Sequence, residues 1–233
     1  MKLRIFLSLF AMVCASAFAQ NVTIFQSDGT RVDYKEGDVV SIEFYDVERV
    51  PLQAPDNVET VDLGLSVKWA SCNVGATAPE ETGAYFAWAE KAEKGDYNWN
   101  TYFDTNCEQT LTSICGMPDY DVATAEWGGD WRLPTLGEMQ ELCDRCTWTW
   151  TEQNGHKGCI VTGPSGASIF LPAAGTRQGT ELYLAENYGS FLTGTRDDGN
   201  HFYARSLVFF STSEHWIDTN LRDYGQSVRA VCK

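Results

Sequence analysis

Residues 131–172 constrain the fold most, because the hydrophobic period changes inside them. Pro134 stops a short extended run. Thr135 and Glu138 then form a Thr-x-x-Glu box, which satisfies two orphan amide donors at a helix start. Leu136, Met139, Leu142, Cys143 and Cys146 recur at helical spacing on one face. After Cys146 the period drops to two. Thr147-Trp148-Thr149-Trp150-Thr151 alternates, Asn154-Gly155 supplies a hairpin turn, and Cys159 to Thr162 returns. Gly163-Pro164-Ser165-Gly166 turns again before Ala167 to Pro172. A capped helix feeding a meander of short strands predicts an α+β domain, with one or two helices set into a largely antiparallel sheet.

The flanking chain is less regular. Val58 to Val74 is strand-rich, and residues 76–125 read as long loops with short elements. Later strands are expected over Gly189 to Thr193, His201 to Phe210 and Gln226 to Cys232. Upstream, Val22 to Gln26 and Thr30 to Tyr34 flank an Asp28-Gly29 turn, and Val40, Ile42 and Phe44 alternate on a third strand. So small a β unit buries too little apolar surface to stand alone, so it is expected to pack on the main domain or pair its edge elsewhere. Pro51 and Pro55 mark a linker. The expected organisation is a signal peptide over residues 1–19, the small β unit over 20–50, the linker over 51–57 and the main domain over 58–233.

The start of the chain has the layout of a Sec signal: basic Lys2 and Arg4, an apolar run from Ile5 to Phe18, and small residues at Ala17 and Ala19. The run is shorter than the ~20 residues that span a bilayer. The expectation is therefore secretion or display at the outer cell surface. Cys14 offers a lipoprotein reading, ranked second because Val13 before it suits lipid-anchor processing poorly. The whole chain has net charge −15; without residues 1–19, 15 Lys and Arg face 32 Asp and Glu, a net −17. That sign excludes phosphate-directed nucleic-acid binding and disfavours anionic membranes. Seven cysteines follow Ala19, and an exported chain normally oxidises them. An odd number leaves at least one free or paired between chains. Cys107 and Cys115 flank a polar stretch and are the candidate loop disulfide.

Trp131-Arg132-Leu133-Pro134-Thr135, with Glu138 and Leu142 following, resembles a motif of the C-type-lectin-like fold as found in bacteria. That superfamily includes the formylglycine-generating-enzyme relatives and the Fibrobacter succinogenes major paralogous domain, as it occurs in exported proteins of gut Bacteroidetes. Supporting segments are Val61 to Ala70, Trp127-Gly128-Gly129-Asp130-Trp131, Leu171-Pro172-Ala173-Ala174-Gly175 and Ser227-Val228-Arg229-Ala230-Val231. Together they cover about residues 58–233. The resemblance implies a compact domain whose last third carries an exposed, sequence-tolerant ligand-binding face, which diversity-generating retroelements vary in some relatives. The motif residues themselves read as architecture. Trp131 and Leu133 point one way from a strand, and Arg132 points the other way, toward carbonyls or a carboxylate that suit its planar fork.

On that implied face, Arg196, Asp198, Asn200, His201 and Tyr203 surround one turn. Ser213, His215, Trp216, Asp218, Asn220 and Arg222 surround the next. Both stretches mix rigid aromatics with adaptable amides and charges, the residue types of a recognition surface. Enzyme readings find less support. The sulfatase-activating relatives use paired cysteines near the C-terminus, where this chain has Cys232 alone. Cys143 and Cys146 have redox spacing but sit at the wrong end of a helix to stabilise a thiolate. Zinc on Cys143, Cys146 and Cys159 lacks a fourth ligand. His156, His201 and His215 are isolated in sequence, and no nucleophile elbow or phosphate loop appears. Calcium has oxygen-rich Asp198-Gly199-Asn200 and Asp218-Thr219-Asn220 to consider. The Trp-Asn-Asp and Glu-Pro-Asn types of motif are missing, however, and Asp198-Gly199 reads as a turn. The expectation is a non-catalytic recognition domain for a protein or glycan, without cofactor. The alternatives are a structural, adhesin or assembly component and, more remotely, a hydrolase-like enzyme.

Overall fold

The computed structural model describes residues 21–25, 31–35, 54–102 and 111–233. The chain divides into two compact units, Met1–Val50 and Pro51–Lys233. In the first, β1 (Asn21–Phe25) and β2 (Arg31–Lys35) form an antiparallel ribbon, with Asn21 opposite Lys35 and Phe25 opposite Arg31. The signal segment, the Asp28-Gly29 turn and the strand expected around Val40, Ile42 and Phe44 lie outside the described residues, as does Cys107.

The second unit is α+β: among the described residues it has short, mostly antiparallel sheets and two helices. β3 (Thr60–Val61), β4 (Lys68–Ala70) and β13 (Val231–Cys232) form a sheet of order β13-β4-β3, which ties the end of the unit to its start. Strand content in the stretch Val58 to Val74 is thus lower than its sequence suggests. Loops then lead to α1 (Val122–Trp127). Asp121 caps α1 through Thr124 N, and its Oδ2 also accepts from Gly116 N and Leu133 N at 2.8 Å each. Burial raises the pKa of this carboxyl, while those amides oppose the rise.

α2 (Leu136–Arg145) starts as its capping box requires. Thr135 Oγ1 accepts from Glu138 N at 3.2 Å, and Glu138 Oε2 accepts from Thr135 N at 2.8 Å. The same carboxylate receives both arms of Arg132, at 2.8 and 2.6 Å. Backbone bonds join Arg132 to Val231 in both directions, and Gly194 N donates to Pro134 O. The motif therefore fastens the helix to two sheets at once. Met139 and Leu142 are the buried residues of the apolar face.

The period-two stretch becomes a meander of β5 (Thr147–Gln153), β6 (His156–Thr162) and β7 (Ser168–Pro172). Its first turn places Asn154 at φ 50° and Gly155 at φ 87°, a pair of left-handed positions that Asn-Gly accepts at little cost. A short ribbon of β8 (Thr176–Gln178) and β9 (Glu181–Tyr183) follows. The last sheet, of order β10-β11-β12, comprises β10 (Tyr188–Arg196), β11 (Tyr203–Phe210) and β12 (His215–Leu221). Trp69, Met139, Leu142, Val161, Leu171, Phe191, Leu207, Phe209 and Val231 pack together between α2 and the sheets. Gly189 has no alternative here, because a Cβ at that position would collide with the Phe209 ring.

Arg229, in the closing segment, is fully buried. Its guanidinium donates to Asn73 Oδ1, Ala70 O, Ser71 O and Phe170 O at 2.7 to 3.0 Å. Burial without a carboxylate partner pulls its pKa down to about 9. One cation thus gathers carbonyls from β4, the segment after it and β7.

Candidate functional site

The two stretches singled out in the last third do not surround neighbouring turns. The second is mostly a strand, β12, and register explains the rearrangement. Tyr203 pairs with Leu221 and Phe209 with His215, so the turn after β10 and the turn after β11 lie at opposite ends of the sheet. Arg196, Asp198, Asn200, His201, Tyr203, Asn220 and Arg222 gather toward one end, and Ser213 and His215 lie at the other. Trp216, Asp218 and Asn220 alternate along one face of β12.

The β10–β11 loop is internally fixed. Asp197, 8% exposed, accepts from Gly199 N at 3.1 Å and Asn200 N at 2.9 Å, and forms a 2.7 Å ion pair with Arg205. Asn200 Oδ1 takes Phe202 N, and Arg222 N donates to Phe202 O. These bonds hold the loop backbone while leaving Asp198, Asn200, His201 and Phe202 exposed. Phe202 is 46% exposed. Its ring meets His201 at 4.1 Å on one side and the edge of Trp99 at 5.3 Å on the other. Trp99 in turn meets Tyr102 at 5.0 Å.

Arg222 anchors this aromatic ladder and is not a surface contact. It is 2% exposed, with its guanidinium 5.4 to 5.8 Å from the ring centres of Trp88, Trp99 and Tyr102. A guanidinium over aromatic faces is favourable when water is excluded. Its expected place on the ligand face is therefore corrected. Phe202 and Trp99 were missed in the sequence, although a Phe beside His201 at a loop tip is a readable signal.

Ser213 and His215 are corrected in the same way. Ser213 Oγ accepts from Trp150 N at 3.0 Å. The His215 ring stacks on Trp148 with centroids 4.4 Å apart and planes 13° apart. Its nitrogens lie 2.9 Å from Ser213 O and 3.3 Å from Cys143 O. Both side chains dock the β11–β12 turn onto β5 and the end of α2. Arg196 ends β10 and is half-buried, with its amide donating to Thr112 O.

Trp216 is 42% exposed and stacks on Phe210, with centroids 5.4 Å and planes 20° apart. Phe210 continues to Tyr188 at 4.9 Å. Burial pushes the Tyr188 phenol up, against the opposing pull of the Ser190 and Asn220 side chains. Asp218 is exposed, and its Oδ1 accepts from the adjacent Thr219 N.

The structure does not bring the three histidines together. Among the described residues, no group of three or more His, Cys, Asp or Glu could hold a metal ion. The six described cysteines, Cys72, Cys115, Cys143, Cys146, Cys159 and Cys232, are free thiols, and Cys107, the expected partner of Cys115, lies outside the described residues. Burial pushes Cys143 and Cys159 up to about 12. Nearby Asp144 and Cys146 add to the rise at Cys143. Among the described residues, no helix is long and apolar enough to cross a membrane. A separate groove is lined by Trp127 and Trp131 and rimmed by Asp56, Glu59 and Asp130, away from the last sheet. No family model, curated protein or solved structure matches this chain.

Proposed function

We propose that the second unit is an exported, non-catalytic recognition domain of C-type-lectin-like architecture, binding a protein or glycan through the exposed loop after β10 and the outward row of β12. The observation that carries this reading is the β10–β11 loop. Its backbone is locked by Asp197 and Arg222, yet its tip leaves Phe202 and His201 exposed. A pre-ordered, partly exposed aromatic anchor lowers the entropy cost of binding.

A glycan array and a pull-down from host extracellular proteins test the reading. The chain with Phe202, Asp198 and Trp216 all changed to Ala is expected to lose binding while keeping its melting transition. Undiminished binding by that variant refutes the assignment. A second reading, an assembly component, draws on the ribbon of β8 and β9. There Leu182, Tyr183 and Leu184 are 41–58% exposed in a row. Self-association abolished by changing these three to Ser supports it, and a monomer at micromolar concentration counts against it.

A further inference from the structure

We infer that the free edge of β3, apart from the recognition face and independent of it, docks an extended basic segment of a partner protein as one more strand.

Register leaves β3 with an unused edge. In the sheet of order β13-β4-β3, only one side of β3 is paired. Ser71 N donates to Glu59 O at 2.9 Å, whereas Ala70 N turns the other way, to Ala230 O at 2.9 Å. Antiparallel ladders alternate bonded and non-bonded pairs. Thr60, opposite Ala70, therefore aims its N–H and its C=O away from β4. Among the described residues neither group has a partner, and Thr60 is exposed. Further along, Ser165 closes the edge, its Oγ and N donating to Asp62 O and Leu63 O. So short an edge by itself guards against stray pairing. The grooves beside it are what fit a guest.

One groove lies on each face of this edge. Val58 packs on the core cluster of Trp127 and Leu133, and Val61 packs on that of Met139 and Leu142, as alternation along a strand requires. On the Val58 side, a groove of about 680 Å³ holds Trp127 and Trp131, whose rings meet edge to face at 5.3 Å, under a rim of Asp56, Glu59 and Asp130. On the Val61 side, a groove of about 360 Å³ is lined by Ile160, Ile169 and Phe170. A strand laid along β3 sends alternate side chains into the two grooves, about 6.8 Å apart on each face. In such additions the backbone bonds supply affinity and the alternating pockets select the sequence.

Charge and aromatic character choose the guest. The three rim carboxylates are exposed, and among the described residues no Lys, Arg or His lines either groove. A guest Lys or Arg meets those carboxylates and the half-buried Trp131 indole, whose face favours a cation. The second groove takes Val, Ile or Leu at the next position. Alternating basic and apolar residues are the match. An acidic segment is repelled by the rim and by the chain's net charge of −15. A free organic cation leaves the Thr60 edge and the apolar groove unfilled.

The test uses the full chain and three labelled peptides: Lys-Val-Lys-Val-Lys-Val, Glu-Val-Glu-Val-Glu-Val and the block Lys-Lys-Lys-Val-Val-Val. Fluorescence anisotropy should show saturable binding of the first, roughly tenfold weaker binding of the block peptide and none of the acidic one. In the complex, amide exchange should slow at Thr60 and the Trp131 indole N–H resonance should shift. Thr60→Pro deletes the outward N–H but no bond to β4, so affinity should fall about tenfold with the melting transition near wild type. Asp56→Asn, Glu59→Gln and Asp130→Asn together should also weaken binding about tenfold at low salt, with the difference shrinking as salt rises. Glu181→Gln on the β8–β9 ribbon should match wild type. If Thr60→Pro melts early, the carboxylate variant, which leaves the backbone intact, decides. No saturable binding of the alternating Lys-Val peptide, equal binding of the block peptide, or full affinity in either folded variant overturns the proposal. Self-association that Thr60→Pro abolishes, without peptide binding, gives the edge to a second copy and overturns the partner.

Discussion

Replacing Glu138 tests how the motif braces the domain. Its carboxylate holds Arg132 through two bonds and also closes the cap of α2. The side chains of Arg132 and Glu138 are only 19% and 14% exposed, so solvent screens the pair little. Losing the cap bond costs about 1 kcal/mol. Stranding Arg132 adds about 2 kcal/mol; this is below the usual cost of breaking a fully buried pair, because the pair is partly exposed and the guanidinium keeps Leu133 O at 3.0 Å. Glu138→Ala should therefore lose about 3 kcal/mol, and Glu138→Gln, which keeps a cap acceptor, about 2 kcal/mol. Urea unfolding at pH 7 measures both, with the slope m unchanged if the native and denatured states keep their compactness. A double-mutant cycle with Arg132→Met should return a coupling of about 1.5 kcal/mol or more. Burial pushes the Glu138 carboxyl up, but the Arg132 fork and the Thr135 cap outweigh it and hold the pKa below its ordinary value. The folded value is thus the lower one. The contribution is present above the unfolded glutamate range of about 4.3 and is lost as pH falls through the folded value. The gap between wild type and Glu138→Gln should narrow over that acid window. A loss under about 1 kcal/mol for Glu138→Ala, or zero coupling, refutes the bracing argument.

Other expectations follow from the same contacts. His215→Ala should destabilise the domain by about 1–2 kcal/mol, read by urea unfolding, because it removes the stack on Trp148 and the bond to the end of α2. Gly189→Ala should cost about 2 kcal/mol or more in the same assay, since its Cβ collides with Phe209. At pH 8 a thiol reagent should leave Cys143 and Cys159 unmodified in the native chain and label both in guanidinium, as pKa values near 12 require. Labelling of either thiol at the free-cysteine rate contradicts the packing around it.

Features set by neighbouring residues were legible in the sequence. Thr135 and Glu138 announce a capped helix, and Asn154-Gly155 announces a hairpin, because each interaction closes within a few residues. β12 was harder to read. Trp216, Asp218 and Asn220 look like loop residues, yet they alternate with His215, Ile217, Thr219 and Leu221, and that period-two signal was present. The fate of Arg222 depends on Trp88, Trp99 and Tyr102, which only the tertiary fold brings around it. Ser213 and His215 have the composition of a binding surface. Their docking onto Trp150, Trp148 and Cys143 depends on where the hairpin lands, which local pattern does not encode.

The most direct measurement is amide hydrogen exchange of the chain, alone and with the strongest binder from the glycan array or the pull-down. Recognition by a rigid surface predicts added protection over residues 197–203 and 215–221, with the β5–β6–β7 meander unchanged. Protection centred on the groove of Trp127 and Trp131, or on the ribbon of Leu182 to Leu184, contradicts it.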